Sequence, residues 1–462
     1  MIVVREFAGR RVLVLGLARS GLAAARALAA GGAEVVVWDD RPANREAAAK
    51  AGLAVADPAH EDWSQLAALV MSPGIPLTHP APHPAVLAAR ATGVPVTGDI
   101  ALLRRAQPDA RICAITGTNG KSTTTALIGH ILKQAGVPVA VGGNLGIAAL
   151  DLAPLGAGGV YVLELSSFQL DLVEDSRFEV AILLNVAPDH LDRHGTMAGY
   201  IAAKLRIFAG QRPGDTAIVG IDDAVAAAIA EQPRQAALVR ISGGDRAADV
   251  RVVGGMLTDA QGPVADLDLA PTLPGGHNAQ NAAAAFAACR ALGVGRDAIA
   301  AALPRYPGLP HRQELVAVID GVAYVNDSKA TNADAAACAL GCYDAVYWIA
   351  GGVPKEGGIA SLAPYFPRVA HAFLIGEAAP EFARTLAGRV PHTMAGDLPQ
   401  ALRLAQERAA AERRSGATVL LSPACASFDQ FRDFEDRGDR FRALVTSLPG
   451  RRVILDPAES AA

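Results

Sequence analysis

Lysine is scarce in this chain. Six lysines (Lys50, Lys121, Lys133, Lys204, Lys329 and Lys355) stand against thirty-six arginines in 462 residues. A sequence that uses arginine wherever any cation serves leaves each lysine a reason of its own, either the compact ammonium or the titratable amine. Lys50 and Lys133 sit on ordinary Ala-rich helical patterns, and the other four fall in the motifs below. Aromatic residues are also few, at 5%, so Ala, Val and Leu must fill the core. Five cysteines (Cys113, Cys289, Cys338, Cys342 and Cys425) follow no metal-ligand spacing and no disulfide framework. A net charge of −4 excludes the basic surface that nucleic acid requires. No apolar run is long enough to span a bilayer, and the N-terminus lacks the apolar run of a signal peptide. A cytoplasmic protein, neither nucleic-acid-binding nor membrane-inserted, is expected.

The length predicts two to three domains. Strand patterns at 11–16, 34–40 and 69–75 alternate with helical ones at 20–30 and 83–93, a βαβ succession that predicts a parallel sheet. A second unit opens with the strand 111–117, followed by a glycine-rich loop and a helix. Strands follow at 160–166, 180–186 and 216–220, and an Ala-rich helix begins at His277. A third unit starts near Pro304, with strands at 322–327, 345–352 and 418–424. The expected domains are 1–98, 99–304 and 305–462.

The strongest local signal is Thr116-Gly117-Thr118-Asn119-Gly120-Lys121-Ser122-Thr123, set between an apolar strand and a helix. Glycines let successive N–H groups curl around phosphate, and the helix N-terminus adds positive potential. Lys121 would reach the β- and γ-phosphates and Ser122 a Mg²⁺ ion. The loop is not a full Walker A, because Ile115 stands at that motif's first glycine. A bound triphosphate needs a metal, and the metal needs hard ligands. Glu164, ending an otherwise apolar strand, and His190, in the loop after the next strand, are the candidates. Parallel strand ends converge on one crevice. A salt bridge for Glu164 and an ordinary loop position for His190 are the plainer alternatives. On its own, Lys204 reads as an exposed helix lysine.

The first domain carries Gly16-Leu17-Ala18-Arg19-Ser20-Gly21 after a strand, with Asp39 ending the next one. The pattern is close to a dinucleotide fingerprint, but Ala18 replaces the middle glycine and its Cβ obstructs a pyrophosphate. A sugar nucleotide suits the crevice at least as well, with Asp39, Asp40 and Arg41 offering polar contacts. An empty structural turn is the alternative. In the third domain, polar segments follow apolar strands at His311-Arg312, at 326–332, around Lys355 and at 422–434, a pattern suited to anions.

These segments, TGTNGKST, LELSSFQL, NVAPDHLD, the Lys204 helix, LPGGHNAQNAAAA, HRQE, NDSKATN and SPACASFDQF, occur in the order seen in the Mur ligases. The chain resembles that family over nearly its whole length, and its first domain and last motif resemble the members that add D-glutamate. The resemblance implies an α/β fold of three domains: an N-terminal Rossmann-like parallel sheet, a central P-loop ATPase-like domain and a C-terminal Rossmann-like domain. It implies an ATP-dependent ligase of peptidoglycan synthesis, acting through an acyl-phosphate, monomeric, with UDP-N-acetylmuramoyl-L-alanine and D-glutamate as substrates. For the sugar nucleotide it implies Arg19, Ser20, Asp39, Asp40, Arg41, Gly74 and Asn144. For ATP it implies Gly117, Thr118, Asn119, Gly120, Lys121, Ser122, Thr123, Asn278, Arg312, Asp327 and Lys329. One Mg²⁺ would be held by Ser122 and Glu164, and a second by His190 and a carbamylated Lys204. Lys121, His190 and Lys204 carry the chemistry, and Thr331, Lys355, Ser427 and Phe434 match the D-glutamate site. Pro188 departs from the acidic residue that many relatives carry there.

Overall fold

Short Val- and Leu-rich strands separated by Ala-rich helices build three sheets. The computed structural model describes residues 1–453 apart from Asp175 and Glu356. The first sheet is parallel: β1 (Arg11–Leu15), β2 (Glu34–Trp38), β3 (Ala54–Val55), β4 (Leu66–Met71) and β5 (Val96–Thr97), in the order β3-β2-β1-β4-β5. The helix Arg19–Ala30 packs on it with Ala23, Ala24, Ala25, Ala27 and Leu28 buried.

The second sheet comprises β6 (Arg111–Thr116), β7 (Val139–Gly143), β8 (Val160–Glu164), β9 (Val180–Leu183), β10 (Thr216–Gly220), β11 (Ala237–Ser242), β12 (Val250–Val253), β13 (Met256–Asp259) and β14 (Gly262–Asp266). Their order is β14-β13-β12-β11-β10-β9-β6-β8-β7. All neighbours are parallel except the hairpins joining β12 to β13 and β13 to β14. β6 lies between β8 and β9, so the loops after these three strands open at one edge of the sheet. Such an edge is where open α/β sheets bind ligands.

The third sheet comprises β15 (Glu314–Ile319), β16 (Val322–Asn326), β17 (Ala345–Gly351), β18 (Val369–Ile375), β19 (His392–Gly396), β20 (Ala417–Leu421) and β21 (Arg452–Val453). Its order is β19-β18-β17-β20-β16-β15-β21, with β15 antiparallel to both neighbours. β20 inserts between β17 and β16, so the order reverses there, and the loops after β16, β17 and β20 gather at that reversal.

Contacts group the described chain into two compact units. One is Met1–Asp266 with Asn278–Leu303, which contains the first two sheets, and the other is Leu267–His277 with the chain from Pro304 onward. The segment Leu267–His277, inside the range expected for the central domain, thus belongs to the unit of the third sheet. Thr272 Oγ1 donates to the Tyr306 carbonyl at 2.6 Å there. Among the described residues no helix is long and apolar enough to cross a membrane.

Candidate active site

The strand β6 delivers the chain into the glycine loop, and the helix Lys121–Gln134 leaves it. Gly120 caps that helix at φ +84°, and a Cβ there would lie 2.3 Å from Asn281 Oδ1. Only glycine meets both demands. The N–H groups of Thr118 and Asn119 donate to Asn185 Oδ1 at 3.1 and 2.8 Å. Lys121 Nζ donates to the carbonyls of Gly117 and Thr118 at 3.0 and 2.8 Å. Ser122 and Thr123 follow in the first turn of the helix. Asn278 is buried, and its Oδ1 accepts from Asn281 Nδ2 at 3.0 Å.

Every residue of β8 is buried, so the Glu164 carboxylate at its end needs partners. The Ser122 hydroxyl donates to Oε2 at 2.5 Å and the Asn144 amide to Oε1 at 2.7 Å. A predicted phosphate-loop hydroxyl, metal ligand and substrate contact therefore meet around one carboxylate. These are hard oxygen donors beside a phosphate loop, which suits Mg²⁺.

Lys204 is 1% exposed, not on the surface. Its Nζ donates to the Gly117 carbonyl at 2.8 Å, the same oxygen that Lys121 uses, and lies 4.5 Å from the centre of the Tyr200 ring. Burial, with the Lys121 charge adding to it, pushes the amine down to about 7. An amine so shifted keeps a substantial neutral, nucleophilic fraction near neutral pH. His190 is exposed, at φ +51°. Its Nε2 pairs with Asp189 at 3.4 Å, and its ring lies 5.0 Å from that of Phe168. The two groups expected to share a second ion therefore each have another partner. Among the described residues no group of three His, Cys, Asp or Glu side chains forms a metal-binding cluster.

In the first sheet, Asp39 is buried, and its carboxylate accepts from Leu17 N–H (2.6 Å), Arg41 N–H (2.9 Å) and Asn44 Nδ2 (3.0 Å). Burial alone would raise its pKa, but these hydrogen bonds outweigh it and hold the carboxyl below the usual range. Arg19 Nη1 donates to the Gly146 carbonyl at 2.7 Å, and exposed Asp40 faces His83 Nε2 at 3.3 Å. Ser20 lies in the first turn of the helix Arg19–Ala30 beside the buried Asp99, Arg41 precedes the helix Pro42–Lys50, and a Cβ on Gly74 would meet open space.

In the third sheet, Asp327 is buried after β16. Its oxygens accept from the Ser422 hydroxyl at 2.8 Å and from Gln313 N–H at 3.2 Å. Burial pushes this carboxyl up to about 7. Trp348 Nε1 donates to the carbonyl of the same Ser422 at 2.7 Å. Lys329 Nζ stands 3.6 Å from the centre of the Phe434 ring. Ser427 is buried; Arg312 and Thr331 are half-buried, and Lys355 is exposed. Three residues outside the predicted set organise these groups. Asn185 shapes the phosphate loop, Asn281 backs Gly120 and accepts from Thr124 Oγ1 (3.1 Å), and Arg437 is fully buried. Arg437 donates to Ser328 Oγ and to the carbonyls of Ser328 and Cys425, tying two polar segments together. Asn185 was findable as the first polar residue after β9, whereas Arg437 resembles any helix arginine.

Residues 115–289 match the Mur ligase middle domain and residues 10–98 the N-terminal domain of MurD-like Mur ligases. The UDP-N-acetylmuramoylalanine–D-glutamate ligase of Paramagnetospirillum magneticum is 55% identical over 451 residues, covering 97% of this chain and 99% of that protein. The ligase of the same name from Phenylobacterium zucineum is 53% identical over 462 residues, covering 97% of this chain and 98% of its own. Among solved structures, the UDP-N-acetylmuramate-alanine ligase of Thermotoga maritima shares the fold, with a TM-score of 0.57 and 17% identity over 95% of this chain and 99% of that one. With full-length relatives more than half identical and the loop, carboxylate and lysine drawn together at one sheet edge, the chain belongs to the Mur ligase family.

Proposed function

We propose that this protein joins D-glutamate to UDP-N-acetylmuramoyl-L-alanine at the expense of ATP, as a soluble, monomeric, cytoplasmic enzyme of peptidoglycan synthesis. The observation that carries the reading is the meeting of Lys121, Ser122, Glu164 and Lys204 around one glycine loop. The choice of D-glutamate rests on the names of the full-length relatives. The proposed domains are 1–98, 99–304 and 305–462.

A carboxylate is a poor acyl donor. Its oxygen attacks the γ-phosphorus of ATP, ADP leaves, and an acyl-phosphate forms. The D-glutamate amine then adds to the carbonyl carbon, a proton is lost, and phosphate departs. Lys121 would offset charge on the transferring phosphoryl group once a phosphate draws it from the loop carbonyls. Ser122 and Glu164 would hold one Mg²⁺, which supplies positive charge to the phosphates. Lys204 is buried, as a neutral amine requires, and that amine reacts with CO₂ to give a carbamate and a proton. The carbamate and His190 would hold a second ion. Arg19, Ser20, Asp39, Asp40, Arg41, Gly74 and Asn144 are assigned to the sugar nucleotide. Asn278, Arg312, Asp327 and Lys329 are assigned to ATP, and Thr331, Lys355, Ser427 and Phe434 to D-glutamate.

An amino-acid panel tests the reading. With ATP, Mg²⁺ and UDP-N-acetylmuramoyl-L-alanine present, D-glutamate should drive phosphate release and L-glutamate and L-alanine should not. Equal turnover of L-glutamate refutes it.

A further inference from the structure

Arg193 follows the His190 loop directly, in the short helix Leu191–His194, and is 8% exposed. A buried guanidinium is costly unless its donors are met. Among the described residues, its side-chain hydrogen bonds go to backbone carbonyls of one loop in the first sheet's layer. Nη2 donates to Ile75 (2.5 Å) and Pro73 (3.3 Å), and Nη1 to His79 (3.4 Å). The carbonyls of Pro73 and Ile75 flank Gly74, the residue assigned to the sugar nucleotide. The other side of the guanidinium lies 5.1 Å from the centre of the Phe168 ring, and that ring packs against His190. The two segments also meet at a second point. Gly195 holds φ +74°, and a Cβ on it would lie 2.8 Å from His79 Nε2. One cation thus fixes a loop that carries a substrate contact and a ring that backs the His190 imidazole.

We propose that Arg193 is a positioning residue that sets the Gly74 loop and the Phe168–His190 pair together, so that a sugar nucleotide seated on the first domain meets a prearranged reaction centre. The proposal rests on the assignment of the sugar nucleotide to the first domain. Lysine does not replace arginine here. A single ammonium has no planar fork to reach Ile75 and His79 at once while stacking on Phe168. Without the clamp, the loop must be ordered by the ligand, and the cost falls on binding of that ligand rather than of ATP.

Full-length Arg193→Lys and Arg193→Ala enzymes test this through the KM for each substrate, with melting temperature measured alongside. In Arg193→Lys the KM for UDP-N-acetylmuramoyl-L-alanine should rise about tenfold, the loss of a hydrogen bond to a charged group, with the KM for ATP unchanged. Arg193→Ala should show the same split, and larger. If the alanine variant fails to fold, the lysine variant decides alone. A folded Arg193→Lys enzyme with wild-type KM values overturns the proposal, as does a fall confined to kcat and melting temperature, the mark of a purely structural role. Wild-type enzyme is run in parallel. If it turns over the sugar nucleotide while Arg193→Lys is unaffected, only the positioning role falls. If it does not, the functional reading falls and the positioning role with it.

Discussion

Two glycine turns occupy equivalent places in this molecule, each between a parallel strand and the uncapped N-terminus of a helix, yet they are wired oppositely. In the turn after β1, an aspartate from the neighbouring strand takes the Leu17 N–H. A Cβ on Gly21 would lie 1.8 Å from the Gly16 carbonyl, so that glycine serves the packing of helix on strand. In the turn after β6, the Thr118 and Asn119 N–H groups go to a neutral amide, and two lysines converge on the Gly117 carbonyl. One turn is held by a carboxylate and the other is faced by two lysine amines. The presence of glycines says that the backbone turns tightly, and the neighbouring strand ends decide whether the turn attracts an anion.

The largest expected effect comes from removing the positive charge. Lys121→Ala should lower turnover about 100- to 1,000-fold, the cost of one preorganised contact to transition-state charge. Lys204→Arg keeps a cation but has no amine to form a carbamate, and should lose most activity. Phosphate release measures both, and a near-wild-type rate in either variant would make the two turns functionally alike. The next effect concerns Asp99, 3% exposed beside Ser20. Burial pushes its carboxyl up to about 6, well above the usual carboxylate range. A folded pKa above the unfolded one contributes stability that is present below the unfolded value and lost as pH rises through 6. Asp99→Asn, which mimics the protonated acid, should therefore gain up to about 3 kcal/mol over wild type at pH 8 and little at pH 4. Thermal melting at the two pH values reads this, and an equal shift at both would contradict it. The smallest effect belongs to Asp39. Asp39→Asn should cost about 1–2 kcal/mol at pH 7, because a carboxylate accepting two backbone N–H groups becomes an amide with one acceptor. Its folded pKa is depressed, so the advantage of wild type is present above the unfolded value and fades as pH falls through the folded one. Unfolding in urea at pH 7 and pH 3 should show the difference shrinking in acid.

β1, β2 and β4 of the first sheet were legible because they are continuous apolar runs divided by clear turns, whereas β3 and β5, two residues each, were too short to read. The phosphate loop was legible because strand, glycines, lysine and helix agree within eight residues. Several strands of the second and third sheets escaped for physical reasons. β12 alternates buried and exposed residues over only four positions, and β15 is half-exposed after a proline-rich segment that reads as a linker. The burial of Lys204 was hidden because its helix is apolar on several faces and the lysine's partner is a backbone carbonyl, which leaves no mark in sequence. The brace formed by Arg437 was hidden for the same reason, since its acceptors include two carbonyls contributed by distant segments.

The chain has three tryptophans, of which Trp38 and Trp63 are half-buried in the first sheet's layer and Trp348 is fully enclosed in the third. The Trp348 indole bonds the carbonyl of Ser422, and the hydroxyl of that same serine bonds Asp327. Indole emission shifts with the field and polarity around the ring, so the third sheet carries an unlabelled optical probe one residue away from a carboxylate assigned to ATP. In a protein this poor in aromatic residues, replacing Trp38 and Trp63 with phenylalanine would leave a single tryptophan, next to the serine that bonds that carboxylate.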